Sequence, residues 1–250
     1  MQSRSAVRTR VPLAVFALVA VNVAVFLLEA AFPDQRTREA FIDGYALIPF
    51  DLTHGVQLDP PAPPTALTLV TSQFLHGSVL HVAVNMLVLL AFGPEIESEA
   101  GHLRFLGFYL ICGVLGNLAE VAVLRDSHVP GIGASGAIAG VLGAYILRFP
   151  TKPVLTFPAY VLIGLWALTQ FAHGFGTLST RVLSEAGGGT AYFAHIGGFL
   201  AGVFISAVGL AARHSGRGLP RLSKRGVPSR GGGKQGLQKA DRSTLADDAN

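Results

Sequence analysis

Charge, cysteine and acid are all scarce in this sequence. Only 14% of its 250 residues are Asp, Glu, Lys or Arg, against about a quarter in an ordinary soluble domain. Half are hydrophobic, and the mean hydropathy is +0.49. That balance excludes a common water-soluble globular domain and points to an all-α chain threaded several times through a membrane. The single cysteine, Cys112, sits in an apolar run. A disulfide framework and a thiolate metal cluster are therefore excluded, no metal or cofactor is expected, and Cys112 reads as packing. The net charge of +4 does not signal nucleic acid. Basic residues crowd the C-terminal tail without interleaved aromatics, which suits membrane orientation better than base recognition.

Six apolar spans are predicted. Arg4, Arg8 and Arg10 precede a run from Pro12 to about Phe32, too long for a signal peptide and without a convincing cleavage site. A polar connection from Pro33 to about Leu75 holds five acids and the break Pro60-Pro-Ala-Pro-Pro64. Connections of that length are usually functional or mobile. Span two, about Val79 to Phe92, carries His81 and Asn85 and is followed by Glu95, Glu97 and Glu99. Span three, about Leu103 to Leu124, carries Asn117 and Glu120; span four runs from Ser135 to Arg148-Phe-Pro150. Span five, about Val154 to Phe175, carries Trp166 and Gln170, and span six, about Ala191 to Ala212, carries His195, Gly198 and Gly202. The division is a basic N-terminus at 1–10, a six-helix domain at 11–212 and a basic tail at 213–250 read as disordered.

Basic residues collect on the cytoplasmic side. With the N-terminus inside, only Arg36, Arg38, Arg125 and Arg181 of the 19 Lys and Arg fall on outer segments. Both termini are thus expected in the cytoplasm, in a membrane of the bacterial type. His81, Asn85, Asn117, Glu120, Gln170 and His195 then share the outer half of the bilayer. Span four is only about 22 Å long against a hydrocarbon core of about 30 Å. Its start is expected roughly 8 Å below the outer surface, in a water-containing cavity, because non-helical backbone at that depth must be buried in protein or lined by water.

That start is Pro130-Gly-Ile-Gly-Ala-Ser135-Gly-Ala-Ile-Ala-Gly140. A glycine-rich turn running into a helix leaves free backbone amides at the positive end of the helix dipole, beside the Ser135 hydroxyl. Such donors can hold a developing oxyanion. The same residues fit a serine N-cap beside a Gly136-xxx-Gly140 packing motif. His195 shares a helix face with Gly198 and Gly202, and span four offers Gly136, Ala139, Gly140 and Gly143. Two small-residue faces allow close approach, which would bring an imidazole base to Ser135. His81 and Asn85, spaced i, i+4, could point two donors at the same place.

These residues resemble those of the rhomboid intramembrane serine proteases, a six- or seven-helix family built on a Gly-x-Ser-Gly turn and a histidine on the last core helix. The likeness covers about residues 70–205. It rests on His76, His81 and Asn85 in Phe-Leu-His-Gly-Ser-Val-Leu-His-Val-Ala-Val-Asn, Glu97 with Gly101, Gly133-Ala-Ser135-Gly136, and Ala194-His195-Ile-Gly-Gly198 with Gly202. The resemblance implies Ser135 as nucleophile, His195 as general base, and His81, Asn85 and the Ser135 amide as oxyanion site. It also puts His76 at the cavity edge. Family members often place a tyrosine one turn after the serine, packed on the histidine; here that position is Ala139. A Trp-Arg pair found in the first loop of some members is missing.

The expected reaction is hydrolysis of a peptide bond in or near the transmembrane segment of another membrane protein, through an acyl-enzyme on Ser135. Transmembrane substrates and membrane lipid are the partners. Rival readings are an inactive rhomboid-like protein that binds helices, a proton-coupled transporter using His81, His195 and Glu120, and a haem protein with His81 and His195 as axial ligands. Span five, bearing Trp166 and Phe171, is a candidate lateral gate, although aromatic residues in such a span are more often lipid-facing or packing. His54, His102, His128, His173 and His214 read as structural. The acids at 95–99 read as packing the loop after span two, and Glu120 could tune the cavity.

Overall fold

The computed structural model describes residues 11–56, 62–154, 156–180 and 191–217, with the side chains of 173–180 and 213–217 outside the description. The basic N-terminus, the tail beyond 217, the glycine-rich 181–190, and the side chains of His173 and His214 therefore lie outside the described residues.

Helix α1 spans Leu13–Ala30. The connection after it, expected as loop, is largely helical: α2 is Gln35–Tyr45, α3 is Pro49–His54, and α4 is Thr68–Thr71 between two 3-10 turns. The local signals are ordinary ones. Asp34 caps α2 by accepting from the Thr37 amide at 2.8 Å, which holds its carboxyl below the usual range, and Gly55 ends α3 with φ +67°.

The long helices follow. Helix α5 is Val79–Ala100, longer at its C-terminus than expected; α6 is His102–Val123; α7 is Ser135–Arg148. A two-residue hairpin, β1 Pro153–Val154 against β2 Phe157–Pro158, delays α8 to Ala159–Thr180, and α9 is Tyr192–Arg217. Among the described residues, α1, α5, α6 and the Tyr192–Ala212 part of α9 are long and apolar enough to cross a bilayer. The fourth expected span is the shorter apolar helix Ser135–Arg148, and the part of α8 whose side chains are described, Ala159–Ala172, is likewise apolar. The outward side chains of the bundle suit lipid: Leu80 of α5, Leu103 of α6, Leu165 of α8 and Phe204 of α9 are each more than 60% exposed. On a soluble protein that much exposed apolar surface would be a liability. The structure is that of an integral membrane helix bundle.

Helix α7 is the centre of the bundle. Ten of its residues are buried, and it packs on α5, α6 and α9. The core on its α5 side contains Leu89, Phe92, Ile138, Val141 and Tyr145, and continues through Phe105 to Val15 of α1.

Ion pairs close the end of α5 and explain its length. Glu95 and Glu99 lie inside the helix, Glu95 pairing with Lys152 at 2.5 Å and Glu99 with Arg148, rather than packing a loop. Glu97, 1% exposed, accepts from the amides of Ala14 and Val15 at 2.8 Å each and so caps α1. His102 lies 2.5 Å from the same carboxylate.

Candidate active site

The turn before α7 is fixed by backbone pairing. Leu47 and Gly131 exchange two hydrogen bonds of 3.0 and 2.8 Å, and the Gly133 amide donates to the Ser72 carbonyl at 2.8 Å. Gly133 has φ +121°, and a Cβ there would lie 2.8 Å from His81 Nε2. Glycine is required twice over, by backbone conformation and by the imidazole beside it. Helix α7 begins at Ser135 itself: Ala134 occupies the cap position, no side chain caps the helix, and the hydroxyl is free of an N-cap role. The first helical bond runs from the Ile138 amide to the Ala134 carbonyl, so the amides of 135–137 precede the ladder.

Helices α7 and α9 meet backbone to backbone. A Cβ on Gly198 would lie 2.0 Å from the Gly136 oxygen, and one on Gly202 would lie 2.0 Å from the Gly140 oxygen. This contact, available only to residues without side chains, brings Ser135 Oγ to 2.7 Å from His195 Nε2. His195 is 7% exposed, and its Nδ1 lies 2.7 Å from Oε1 of Gln170 on α8. The start of α9 is anchored by Glu120, whose Oε2 accepts from the Ala194 amide at 2.9 Å. A buried carboxylate at a helix N-terminus suits the dipole and the unpaired amides there. Glu120 thus orients the helix that carries His195, where the sequence suggested tuning of the cavity.

Helix α5 supplies the third side. His81 follows the Ser78 cap, and its ring lies 5.0 Å from that of His76. Asn85 donates through Nδ2 to His76 Nε2 at 3.1 Å, and His76 Nδ1 donates to the Phe74 carbonyl at 3.3 Å. An amide nitrogen has two hydrogens, so Asn85 keeps a second donor. His76 does not sit at the cavity edge. It is fully buried behind Asn85, because its own amide is held by the buried Glu29 carboxylate at 3.2 Å.

Asn85, Ser135 and His195 open on one cavity of about 570 Å³, between α5 and α8 and floored by Ile138 and Leu142 of α7. Its other lining is apolar, including Val84, Val88, Phe92, Leu162 and Trp166. On this side the dyad faces an apolar groove with three polar residues; a small cavity lined by Ser72, Asn117 and Glu120 also reaches Ser135. Among the described residues, no group of three or more His, Cys, Asp or Glu is disposed to hold a metal.

Residues 63–212 match the Rhomboid domain, more than half of the chain. The chain belongs to the rhomboid family. It is 33% identical over 149 residues to RHOMBOID-like protein 4 of Arabidopsis thaliana, covering 59% of this chain and 35% of that protein. Against Rhomboid protein 1, mitochondrial, of Saccharomyces cerevisiae it is 29% identical over 195 residues, 76% of this chain and 51% of the yeast protein. Inactive rhomboid protein 1 of Bos taurus is 31% identical over 165 residues, 66% of this chain and 17% of the bovine one. The chain therefore spans about half or less of the length of these relatives. Rhomboids are in general intramembrane serine proteases, but the family also holds members named inactive. Membership alone does not decide activity.

Of the six polar residues that this rhomboid's sequence placed at one depth, the fold brings His195, Asn85 and His81 around the turn at Ser135, with Gln170 against His195. Asn117 stands on the other side of the turn, lining a small cavity with Ser135 and donating to the Leu69 carbonyl and to Ser72 Oγ. His54 and His128 both lie against the Phe50 ring, at 4.0 and 4.1 Å between centroids. Gln170, on α8, is the contact to which the sequence gave no role; its depth, shared with His195, was the signal, but nothing in the sequence paired the two.

Proposed function

We propose that this rhomboid is an intramembrane serine endopeptidase that cuts transmembrane segments of other membrane proteins. The observation that carries the reading is the 2.7 Å contact between Ser135 Oγ and His195 Nε2, in a largely buried site beside an apolar groove. Ser135 Oγ–H donates to Nε2, so as Oγ attacks a peptide carbonyl its proton passes to the imidazole. The C–O bond forms and the carbonyl becomes an oxyanion. Candidate donors to it are the Ser135 amide, the second Nδ2–H of Asn85 and His81. Collapse breaks the C–N bond, the leaving amine takes the proton from Nε2, and Ser135 holds the acyl group. Water, deprotonated by the same imidazole, then releases the new carboxylate.

The apolar groove favours a substrate from lipid over a soluble peptide. A transmembrane helix hides its carbonyls in hydrogen bonds, so it must unwind locally before attack, and helix-weakening residues near the cut should favour cleavage. In our reading six helices span a bacterial-type cytoplasmic membrane, α7 starts below the outer surface, and both termini are cytoplasmic because the basic residues crowd those segments. Cleavage then falls near the outer face. The inactive, helix-binding alternative is disfavoured by the presence of both Ser135 and His195 in bonding geometry.

The test is cleavage of a fluorescent transmembrane substrate by the protein reconstituted in liposomes, with labelling by a serine-directed fluorophosphonate in parallel. Wild type should cleave and label, and Ser135→Ala and His195→Ala should not cleave. Full retention of cleavage in either variant would refute the assignment.

A further inference from the structure

The reacting pair leaves one question open: what holds the imidazole in the state that can take a proton. Neutral imidazole has two tautomers, and only one serves. With the proton on Nε2, the nitrogen facing Ser135 would be a donor against a donor; with the proton on Nδ1, Nε2 presents its lone pair to the hydroxyl. The choice is made by whatever bonds to Nδ1. In this protein that partner is the side-chain oxygen of Gln170, at 2.7 Å.

We propose that Gln170 is the positioning residue of the base, its amide oxygen accepting the Nδ1 proton of His195 and so fixing both the tautomer and the ring orientation that serve Ser135. The inference rests on the protease reading and deepens it. A glutamine could present either end of its amide, and the wrong end would favour the wrong tautomer. The neighbouring bonds select the orientation. Gln170 Nε2 donates to Thr169 Oγ1 at 3.2 Å, and the Thr169 hydroxyl donates to the Trp166 carbonyl at 2.6 Å. The amide nitrogen is thereby turned to Thr169 and the oxygen to His195.

Helix α8 also gives the imidazole a wall. The Trp166 ring lies 6.1 Å from the His195 ring and 6.1 Å from that of Phe199, so a bulky ring reaches His195 from α8. On α7, the residue one turn after the serine is Ala139, buried and too small to provide that support. Neutral Gln170 does what a carboxylate does in a Ser-His-Asp triad, without a second buried charge in an apolar site. Displacing α8 from α9 would break the Nδ1 bond, so the basicity of His195 depends on where α8 sits.

The test uses the full-length reconstituted protein with Gln170→Leu and Gln170→Glu. Leucine removes the acceptor; glutamate keeps an oxygen at the same reach. We expect kcat of Gln170→Leu to fall about 10- to 100-fold, the loss of one hydrogen bond to a group that becomes charged. KM should stay within about twofold, since no substrate contact is removed. Gln170→Glu should recover most of the loss. In ¹⁵N spectra of histidine-labelled protein, the signal absent from His195→Ala should report an Nδ1-protonated ring in wild type and lose that signature in Gln170→Leu. Undiminished turnover of Gln170→Leu while wild type cleaves would overturn this inference alone. Equal impairment of both variants with a common drop in Tm would also overturn it, by showing a merely structural role. Wild type that neither cleaves nor labels would overturn the protease reading, and this inference with it.

Discussion

His195 meets α7 and α8 across two unlike seams. Toward α7 the contact is backbone on backbone, with Gly198 and Gly202 so close to the Gly136 and Gly140 carbonyls that no side chain fits. Toward α8 the contact is made by side chains, one amide oxygen at 2.7 Å and one indole at 6.1 Å. The first seam sets the distance between hydroxyl and imidazole, and the second sets how the imidazole is turned. A distance written into packed backbone cannot be altered without harming the fold. An orientation held by two side chains can be lost while the fold survives.

The largest expected effects test whether the chemistry can be removed without touching either seam. Ser135→Ala should lose about 10⁴-fold or more in kcat, the scale seen when one member of a nucleophile–base unit is deleted. Its Tm in detergent should fall by only a few degrees, because the hydroxyl caps nothing and alanine fits the start of α7, so that one bond, to His195, is lost. Next comes the tight seam itself. Gly202→Val places branched carbon where even a lone Cβ would lie 2.0 Å from the Gly140 oxygen. The helices must part, and a loss of more than about 4 kcal/mol is expected, visible as a collapse in Tm and in folded yield. A folded, active Gly202→Val would break the comparison. Third is Asn85→Ala, which belongs to neither seam. It should slow kcat by about 100-fold, the usual effect of deleting one oxyanion donor, while fluorophosphonate labelling of Ser135 persists. If Tm falls instead, the bond from Asn85 to His76 matters more to the fold than to an oxyanion.

The tight seam was legible in the sequence and the looser one was not, for a physical reason. Glycines at fixed spacing from a serine and a histidine are a local pattern on two helices, and both faces can be read without knowing the fold. The Nδ1 partner of His195 comes from a third helix, 25 residues away in sequence, through a residue type with no motif of its own. The same holds for Glu97 and Glu120. Their acceptors serve the amides of Ala14, Val15 and Ala194 at helix starts, and every helix offers such amides. The reach of α5 to Ala100 was hidden because three glutamates within five residues look like loop until Lys152 and Arg148 stand opposite two of them. The late start of α8 has a similar origin, in the hairpin that ends at Pro158. Helix in the first connection could have been anticipated from Asp34 and Gly55, a cap and a stop that the acid content and proline break obscured.

The smallest effect concerns a seam far from the site. Glu97 is buried and holds α1 by two amides at 2.8 Å, so Glu97→Ala leaves two donors at a buried helix start without their carboxylate. A loss of about 2 kcal/mol is expected, within the range for buried donors deprived of an acceptor. Glu97→Gln should lose less, since one amide oxygen remains to accept from one of the two amides. The far end of α1 has its own tie, Glu29 to the His76 amide at 3.2 Å, which lies next to the bond between His76 and Asn85. If that tie survives, kcat per folded molecule in Glu97→Ala should stay within about twofold of wild type while Tm falls. A parallel fall in kcat would mean that α1 transmits its loosening through Glu29 and His76 to Asn85, and that the site depends on a third seam besides the two around His195.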